Sequence, residues 1–494
     1  MGGSILVFAE SGGIFMYDVA IIGCGIIGGA VAYYLSRYKL SIAVLEKNND
    51  VCMETTKANS AIIHAGYDPE PGTNCAKFNV RGNELTEEIA GKLDVAYKKI
   101  GSLVVAFSED ELEHIKRLYD RGIKNGVPDM KLIDRDELRE MEPCISDKAL
   151  GALYAPTAAI VNPWEYGIAM AETAVVNGAE IMLNTKVDNI EAEDGYYKIT
   201  CGDKVIEARY IINAAGVWSD DIHNMVAEPT FKIEPSAGEY YLLDKCEGEK
   251  AKHVIFQCPN ELGKGVLVAP TVHGNLIVGP NAIASDKDDK TTKTSSLDFI
   301  REMAGKSIPS VNYRENIRNF TGVRANTDVN DFIIEFAAPR FIDVAGIKSP
   351  GLSSAPAIAE EVVRMLGEDG LALEKKTNFI DKRTHIRFKE LSYEEKNALI
   401  DEKPAYGRVV CRCETITEGE ILAALASPIP PVSLDGIKRR AGTGMGRCQG
   451  GFCGPKVLDI MAEYKGVEPE EILQDNTGSY ILIGETKKAG RSDK

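Results

Sequence analysis

A chain of 494 residues has the length of about three ordinary domains, and with 44% hydrophobic residues it can bury a large core. A formal net charge of −17 argues against nucleic acid, whose phosphates need Lys and Arg, and against a polybasic hold on an anionic membrane. No run of about eighteen apolar residues is present to span a bilayer, and seven of the eleven cysteines are scattered singly with no secreted disulfide pattern, which points to a reducing cytoplasm.

In chain order, MGGSILVFAESGGIF has a short apolar stretch but neither a basic start nor a signal cleavage site, so the natural start is expected at Met16. Next, YDVAIIGCGIIGGAVAYYLSRYKLSIAVLEK has the strand–turn–helix–strand order of a βαβ unit. Val19 to Ile22 form an apolar run suited to a buried parallel strand. Gly23, Gly25 and Gly28 follow in G-x-G-x-x-G spacing: a tight turn, close approach of a pyrophosphate, and close helix–strand packing. The helix N-terminus behind them offers N–H groups to phosphate. A second strand, Ile42 to Leu45, ends at Glu46, 18 residues past Gly28 and placed to accept hydrogen bonds from a ribose. An acid there disfavours a 2′-phosphate and hence NADP. The fingerprint alone leaves NAD and FAD open.

Two later segments favour FAD. RYIINAAGVWSDDI is a strand running into the small residues Ala214, Ala215 and Gly216, where the chain can touch a cofactor. FIDVAGIKSPGLSSAPAIAEEVVRML gives a strand, a loop at Gly351 and a helix with Ile358, Val362, Val363 and Leu366 on one face. A helix N-terminus at that loop would stabilise negative charge on a reduced isoalloxazine.

Together these segments resemble the glycine oxidase/D-amino-acid oxidase-like FAD oxidoreductases, over about Tyr17 to Gly367. The resemblance implies an α/β FAD-binding Rossmann-type domain (16–95, 150–230 and 330–372) and an α+β substrate domain built on an antiparallel sheet (96–149 and 231–329). Within that superfamily, TTKANSAIIHAGYDPEPG (Thr55–Gly72) is similar to a segment of glycerol-3-phosphate oxidases and L-2-hydroxyglutarate dehydrogenases. GEYYLLDK, GKGVLVAPTVHGNLIVGP and TGVRANTDVNDFIIE are similar to the glycerol-3-phosphate branch.

The resemblance implies His64 as the catalytic histidine, with Ser60, Lys264, Arg324 and Ser353 beside the substrate. It implies cofactor contacts at Gly23, Gly25, Gly28, Glu46, Thr55, Ser60, Val187, Ala215, Gly216, Gly351, Leu352 and Ser353. The chemistry agrees. Oxidising a secondary alcohol passes hydride to flavin while a base takes the hydroxyl proton, a role suited to a group titrating near neutrality. Lys264 and Arg324 lie beside glycines in apolar surroundings, where a long cation is costly unless it meets an anion. An Arg fork with a Lys point charge would hold a phosphate, but equally a dicarboxylate.

Residues 373–405 are charged and read as a linker with some helix; a compact module spans 406–465, and the tail 466–494 has a short strand at SYILIG. The module holds Cys411 and Cys413 as C-x-C, then 34 residues, then Cys448 and Cys453 as C-x4-C. Structural zinc usually takes wider C-x2–4-C knuckles, whereas two close thiolate pairs on glycine-rich loops suit a [2Fe–2S] cluster. Gly442, Gly444, Gly446, Gly450, Gly451 and Gly454 would let backbone N–H groups reach the sulfides, and Lys438, Arg439, Arg440 and Arg447 are expected to offset the cluster's charge. CRCE, DGIKRR and GMGRCQGGFC resemble the bacterioferritin-associated-ferredoxin-like [2Fe–2S] domain, small and mostly helical, which also ends the large subunit of anaerobic glycerol-3-phosphate dehydrogenases.

The leading expectation is an FAD-dependent glycerol-3-phosphate dehydrogenase that sends electrons through the cluster to a partner subunit or carrier. A 2-hydroxy acid such as L-2-hydroxyglutarate is the alternative substrate. An oxygen-using oxidase fits less well with an iron–sulfur outlet. An electron-transfer subunit with an idle substrate site is the reading of another class, against which the intact His64, Lys264 and Arg324 set argues. The implied location is the cytoplasm, with attachment to a membrane through a partner left open.

Overall fold

The computed structural model describes residues 15–259 and 265–484. The expectations for the segment before Met16 and for Lys264, and the last ten residues of the tail, lie outside the described residues. An apolar strand, Met16–Ile22, opens the fold at the centre of an eight-stranded sheet. It runs parallel to Ile42–Leu45 on one side, with Val19 opposite Ile42, and to Lys204–Asn213 on the other, with Ile22 opposite Asn213. Phe341–Ala345 joins the end of Lys204–Asn213 in parallel, bringing the two distant loop segments to the same sheet edge as the glycine turn. Gly23 sits at φ +94 with the Ala214 carbonyl 2.6 Å from where a Cβ would be, so only glycine makes this turn. The helix Ile26–Leu35 then packs between the helices Pro163–Val176 and Gly351–Glu368; the buried faces of Ile26–Leu35 and Gly351–Glu368 carry no charged residue.

The second sheet has nine strands. Its ladders are antiparallel except where Val254–Gln257 runs parallel to Ser102–Ala106. Ser236–Leu243 and Asn316–Arg324 form its long pair and face the cavity described below. Gly151–Ala155 pairs with Ser102–Ala106 and belongs to this sheet, although the sequence boundary at 149/150 placed it with the nucleotide-binding part. Hydrogen bonding along a neighbouring strand overrides its small-residue composition, which carries no sign of which sheet it joins.

The C-terminal module is a short hairpin, Val409–Cys411 with Ile416–Thr417, followed by helices Glu418–Leu425, Leu434–Ala441 and Gly454–Lys465 around Ile421, Leu425, Ile437, Val457 and Met461. The charged segment before it is a strap fixed to the first domain. Arg383 pairs with Glu172 at 3.1 Å, and Arg387 with both Asp94 and Glu165 at 2.7 Å. Glu165 and Glu172 are buried on the helix Pro163–Val176, and a buried carboxylate demands a partner. In the tail, Leu473 bridges both Ser433 and Tyr480, so SYILIG contributes one bridge and no longer strand among the described residues. No helix among the described residues is long and apolar enough to cross a membrane.

Candidate active site and four-cysteine centre

Between the two sheets lies a cavity of about 810 Å³. At the nucleotide end it is lined by Gly23, Gly25, Glu46, Val187, Ala215 and Gly216. The Glu46 carboxylate is held in place: Oε2 accepts the Cys24 N–H at 2.8 Å, and Oε1 accepts both the backbone N–H and the side-chain amide of Asn48 at 2.9 Å. Burial pushes its pKa up, against the pull of these donors. Gly28 lies one layer below the cavity, where a Cβ would stand 1.9 Å from the Gly23 carbonyl; its role there is packing. Thr55 lines the cavity but donates its hydroxyl to the Val323 carbonyl at 2.7 Å. Its neighbour Thr56 accepts the Ile26 N–H at 2.9 Å at the mouth of the first helix. Sequence reasoning passed over Thr56, because nothing in a Thr-Thr pair tells which hydroxyl faces the helix. Gly351 and Leu352, at the start of the helix Gly351–Glu368, line the same cavity. A dinucleotide fits this frame, with pyrophosphate at one helix N-terminus and an electron-rich ring at the other.

The opposite end gathers His64, Ser60, Tyr240, Phe256, Arg324 and Ser349. The His64 ring stacks on Phe256 with centroids 5.7 Å apart, and its Nε2 lies 3.3 Å from Ser349 Oγ. The fully buried Ser353 accepts the His64 backbone N–H at 2.7 Å. Its hydroxyl therefore holds the histidine's backbone and does not line the cavity, unlike the place beside flavin and substrate that the resemblance implied. Arg324 donates from Nη2 to the Asn281 carbonyl at 3.1 Å. The Tyr240 hydroxyl hydrogen-bonds both Arg324 and Ser60, and burial raises its pKa despite those two partners. Tyr240 and Ser349 are members of the cavity that sequence reasoning missed.

In the module the four thiols stand as two pairs, each drawn from both loops. Cys413 and Cys448 have their Sγ atoms 3.6 Å apart, and Cys411 hydrogen-bonds Cys453. Backbone N–H groups converge on them: Gly444 on Cys411 and Cys453, Glu414 on Cys411, and Phe452 and Gly450 on Cys448. One thiol of each pair is held low, Cys411 at about 6 by its hydrogen bond from Cys453 and Cys448 by the Phe452 N–H. Such a nest suits an anionic thiolate-ligated cluster. The nearby cations do not serve it as expected. Arg440 and Arg439 both grip the buried Asp50 carboxylate, at 2.8 and 2.9 Å, and Arg439 also reaches Asp475 at 2.8 Å. Arg447 pairs with Glu315 at 2.6 Å, and Lys438 is half-buried near Arg318. Buried guanidiniums need carboxylates, and those of the first domain are nearest; these arginines dock the module.

A cavity laid between a parallel nucleotide-binding sheet and a mixed sheet, in a chain that also carries a thiolate cluster site, defines a dinucleotide-dependent oxidoreductase with its own electron-transfer module. The pattern of the FAD dependent oxidoreductase family matches residues 18–365, and that of the BFD-like [2Fe-2S] binding domain matches residues 409–463. The chain is 50% identical to a glycerol 3-phosphate dehydrogenase of Caloramator mitchellensis over 478 residues, 96% of this chain and 99% of the relative. It is 35% identical to a glycerol 3-phosphate oxidase of Mycoplasma genitalium over 374 residues, 73% of this chain and 97% of the relative. The structure of the dithionite-reduced, FAD-bound L-alpha-glycerophosphate oxidase of Mycoplasma pneumoniae superimposes with a TM-score of 0.72 at 32% identity, covering 76% of this chain and 100% of that one. The chain belongs to the FAD-dependent oxidoreductases of this family, with a BFD-like [2Fe–2S] domain at its C-terminal end.

Proposed function

We propose that this chain oxidises sn-glycerol 3-phosphate to dihydroxyacetone phosphate and passes the electrons out through its C-terminal cluster. One observation carries the reading: the similarity to the Caloramator glycerol 3-phosphate dehydrogenase runs through both the cavity-bearing part and the four-cysteine module. When bound, FAD supplies the hydride acceptor and the cluster a one-electron outlet. His64 takes the proton of the C2 hydroxyl at Nε2, the nitrogen that faces Ser349 Oγ. Ser353 and Phe256 keep that imidazole in place, one through the backbone and one through the ring. Arg324, with Lys264 as the resemblance implies, binds the phosphate; Tyr240 and Ser60 orient the guanidinium and the glycerol hydroxyls. The reading is tested by anaerobic bleaching of the flavin with a panel of polyol phosphates and 2-hydroxy acids. Bleaching by glycerol 3-phosphate and not by L-2-hydroxyglutarate is expected; the reverse order would overturn it.

A further inference from the structure

The four-cysteine centre is buried on one side only. Cys411 and Cys453 are buried in the module's core, whereas Cys413 is exposed and Phe452, next to Cys453, is 84% exposed. A lone exposed aromatic is ordinary on a protein surface. This one stands between two cluster ligands, its own N–H reaching the Cys448 thiol.

Charge singles out the same edge. The chain as a whole carries −17, yet Gly444 to Lys456 contains no Asp or Glu; its Lys456 is exposed, while Arg447 is engaged by Glu315 at 2.6 Å. Across from them the exposed Arg412 lies between Cys411 and Cys413. The acid that follows, Glu414, is buried and faces Lys245 at 2.7 Å and Lys389 at 3.9 Å. A basic face on an acidic protein is an electrostatic guide for an acidic partner.

We infer that this edge of the cluster site, with the exposed Phe452 flanked by the exposed Arg412 and Lys456, is the docking surface for a small acidic one-electron carrier protein. An exposed aromatic flanked in sequence by an exposed arginine and lysine has the composition of an interface hot spot. A second copy of this chain would bring the same basic edge against itself. An anionic bilayer would match the charge, but its lipids accept no electron from the exposed ligand side. The inference rests on the reading that electrons leave through the cluster. At each docking one electron passes from the reduced cluster to the oxidised carrier, with no bond made or broken. Oxidation of one substrate releases two electrons and two protons, so two carriers dock in turn.

The test uses the holoenzyme, with FAD and cluster bound, and an acidic plant-type ferredoxin as probe. Binding is measured by biolayer interferometry between about 0.01 and 0.3 M salt, a range over which surface charge is progressively screened. Binding should weaken steadily with salt, and Arg412→Glu with Lys456→Glu should weaken it by about tenfold or more at low salt. Phe452→Ala should weaken it by a similar factor at every salt concentration. Bleaching of the flavin by glycerol 3-phosphate without carrier should be unchanged in both variants. Equal binding by wild type and charge-reversed protein would overturn the inference, as would capture by vesicles containing phosphatidylserine in place of the carrier. The underlying reading fails separately, by electron paramagnetic resonance, if glycerol 3-phosphate bleaches the flavin without reducing the cluster.

Discussion

Arg324 can enter the cavity because residue 238 has no side chain. A Cβ on Gly238, two residues along the adjacent strand from Ser236, which pairs with Arg324, would stand 2.2 Å from Nη2, and the flexible guanidinium would yield before the backbone did. Gly238→Ala should therefore raise KM for glycerol 3-phosphate by about ten- to hundredfold, the worth of a hydrogen bond to a charged group at about 1.5–3 kcal/mol. Flavin content should not change, and an unaltered KM would remove Arg324 from phosphate binding. His64→Asn keeps a polar side chain of similar size and removes the base; kcat should fall by about 10²–10⁴ with KM little changed, as steady-state dye reduction would report. His64, Ser60 and Arg324 were legible in the sequence because each sits in a motif with a resemblance to lean on. Tyr240 was not: it is one of two adjacent tyrosines in a strand, and alternation puts Tyr240 and Tyr241 on opposite faces without saying which face holds the cavity. Ser353 was legible as a residue beside the flavin helix but not in its direction, since its hydroxyl turns back onto the His64 backbone.

The segment between Glu46 and Thr56 shows how an element takes its shape from both ends. On the inner side Glu46 accepts the Cys24 N–H, and the Cys52 N–H donates to the Cys24 carbonyl at 2.9 Å, so the segment is laced to the glycine turn. On the outer side Asp50 lies between Arg439 and Arg440 of the module, all three side chains buried. Burial alone would raise the Asp50 carboxyl, but Arg440 and then Arg439 outweigh it and hold its pKa at about 2. Removing one partner of such a buried set leaves unpaired charge, so Asp50→Asn should destabilise the docked module by about 3–5 kcal/mol. Urea denaturation followed by flavin fluorescence and by cluster absorbance would show both midpoints lowered; unchanged midpoints would exclude the clamp. The sign with pH follows from the depressed pKa. The contribution of Asp50 is complete above the unfolded value of about 3.9 and is lost as pH falls from there through about 2. Docking should therefore survive at pH 5, weaken progressively below about 4 and lose the Asp50 contribution near pH 2. At this scale the central strands and the helix Gly351–Glu368 were legible as apolar runs and periodicity. The strap at 373–392 was not: its arginines look like solvated charge until the buried Glu165 and Glu172 they answer are placed by the fold.

Taken whole, the molecule joins a two-electron site to a one-electron site and fixes the distance between them. The module touches both earlier parts: Asp50 and Lys57 of the nucleotide-binding side reach it through Arg439, Arg440 and Asp475, and Lys245 and Glu315 of the second sheet pair with Glu414 and Arg447. A module held on two sides cannot swing between a flavin and a distant acceptor, so on the proposed reading electrons cross a fixed gap and leave at the exposed edge. That reading makes the cluster, and not the flavin, the point of contact with one-electron acceptors. Cys413→Ser isolates the claim, because Cys413 is exposed and its sulfur is no part of the module's apolar core, unlike Cys411 and Cys453. The variant should fold with full flavin content and should still bleach with glycerol 3-phosphate, while the cluster's visible absorbance and paramagnetic signal are lost. Reduction of a two-electron dye taken directly from the flavin should persist, and reduction of one-electron carriers should collapse. If carriers were reduced as fast without the cluster as with it, the fixed module would be a structural clamp and the flavin itself the exit.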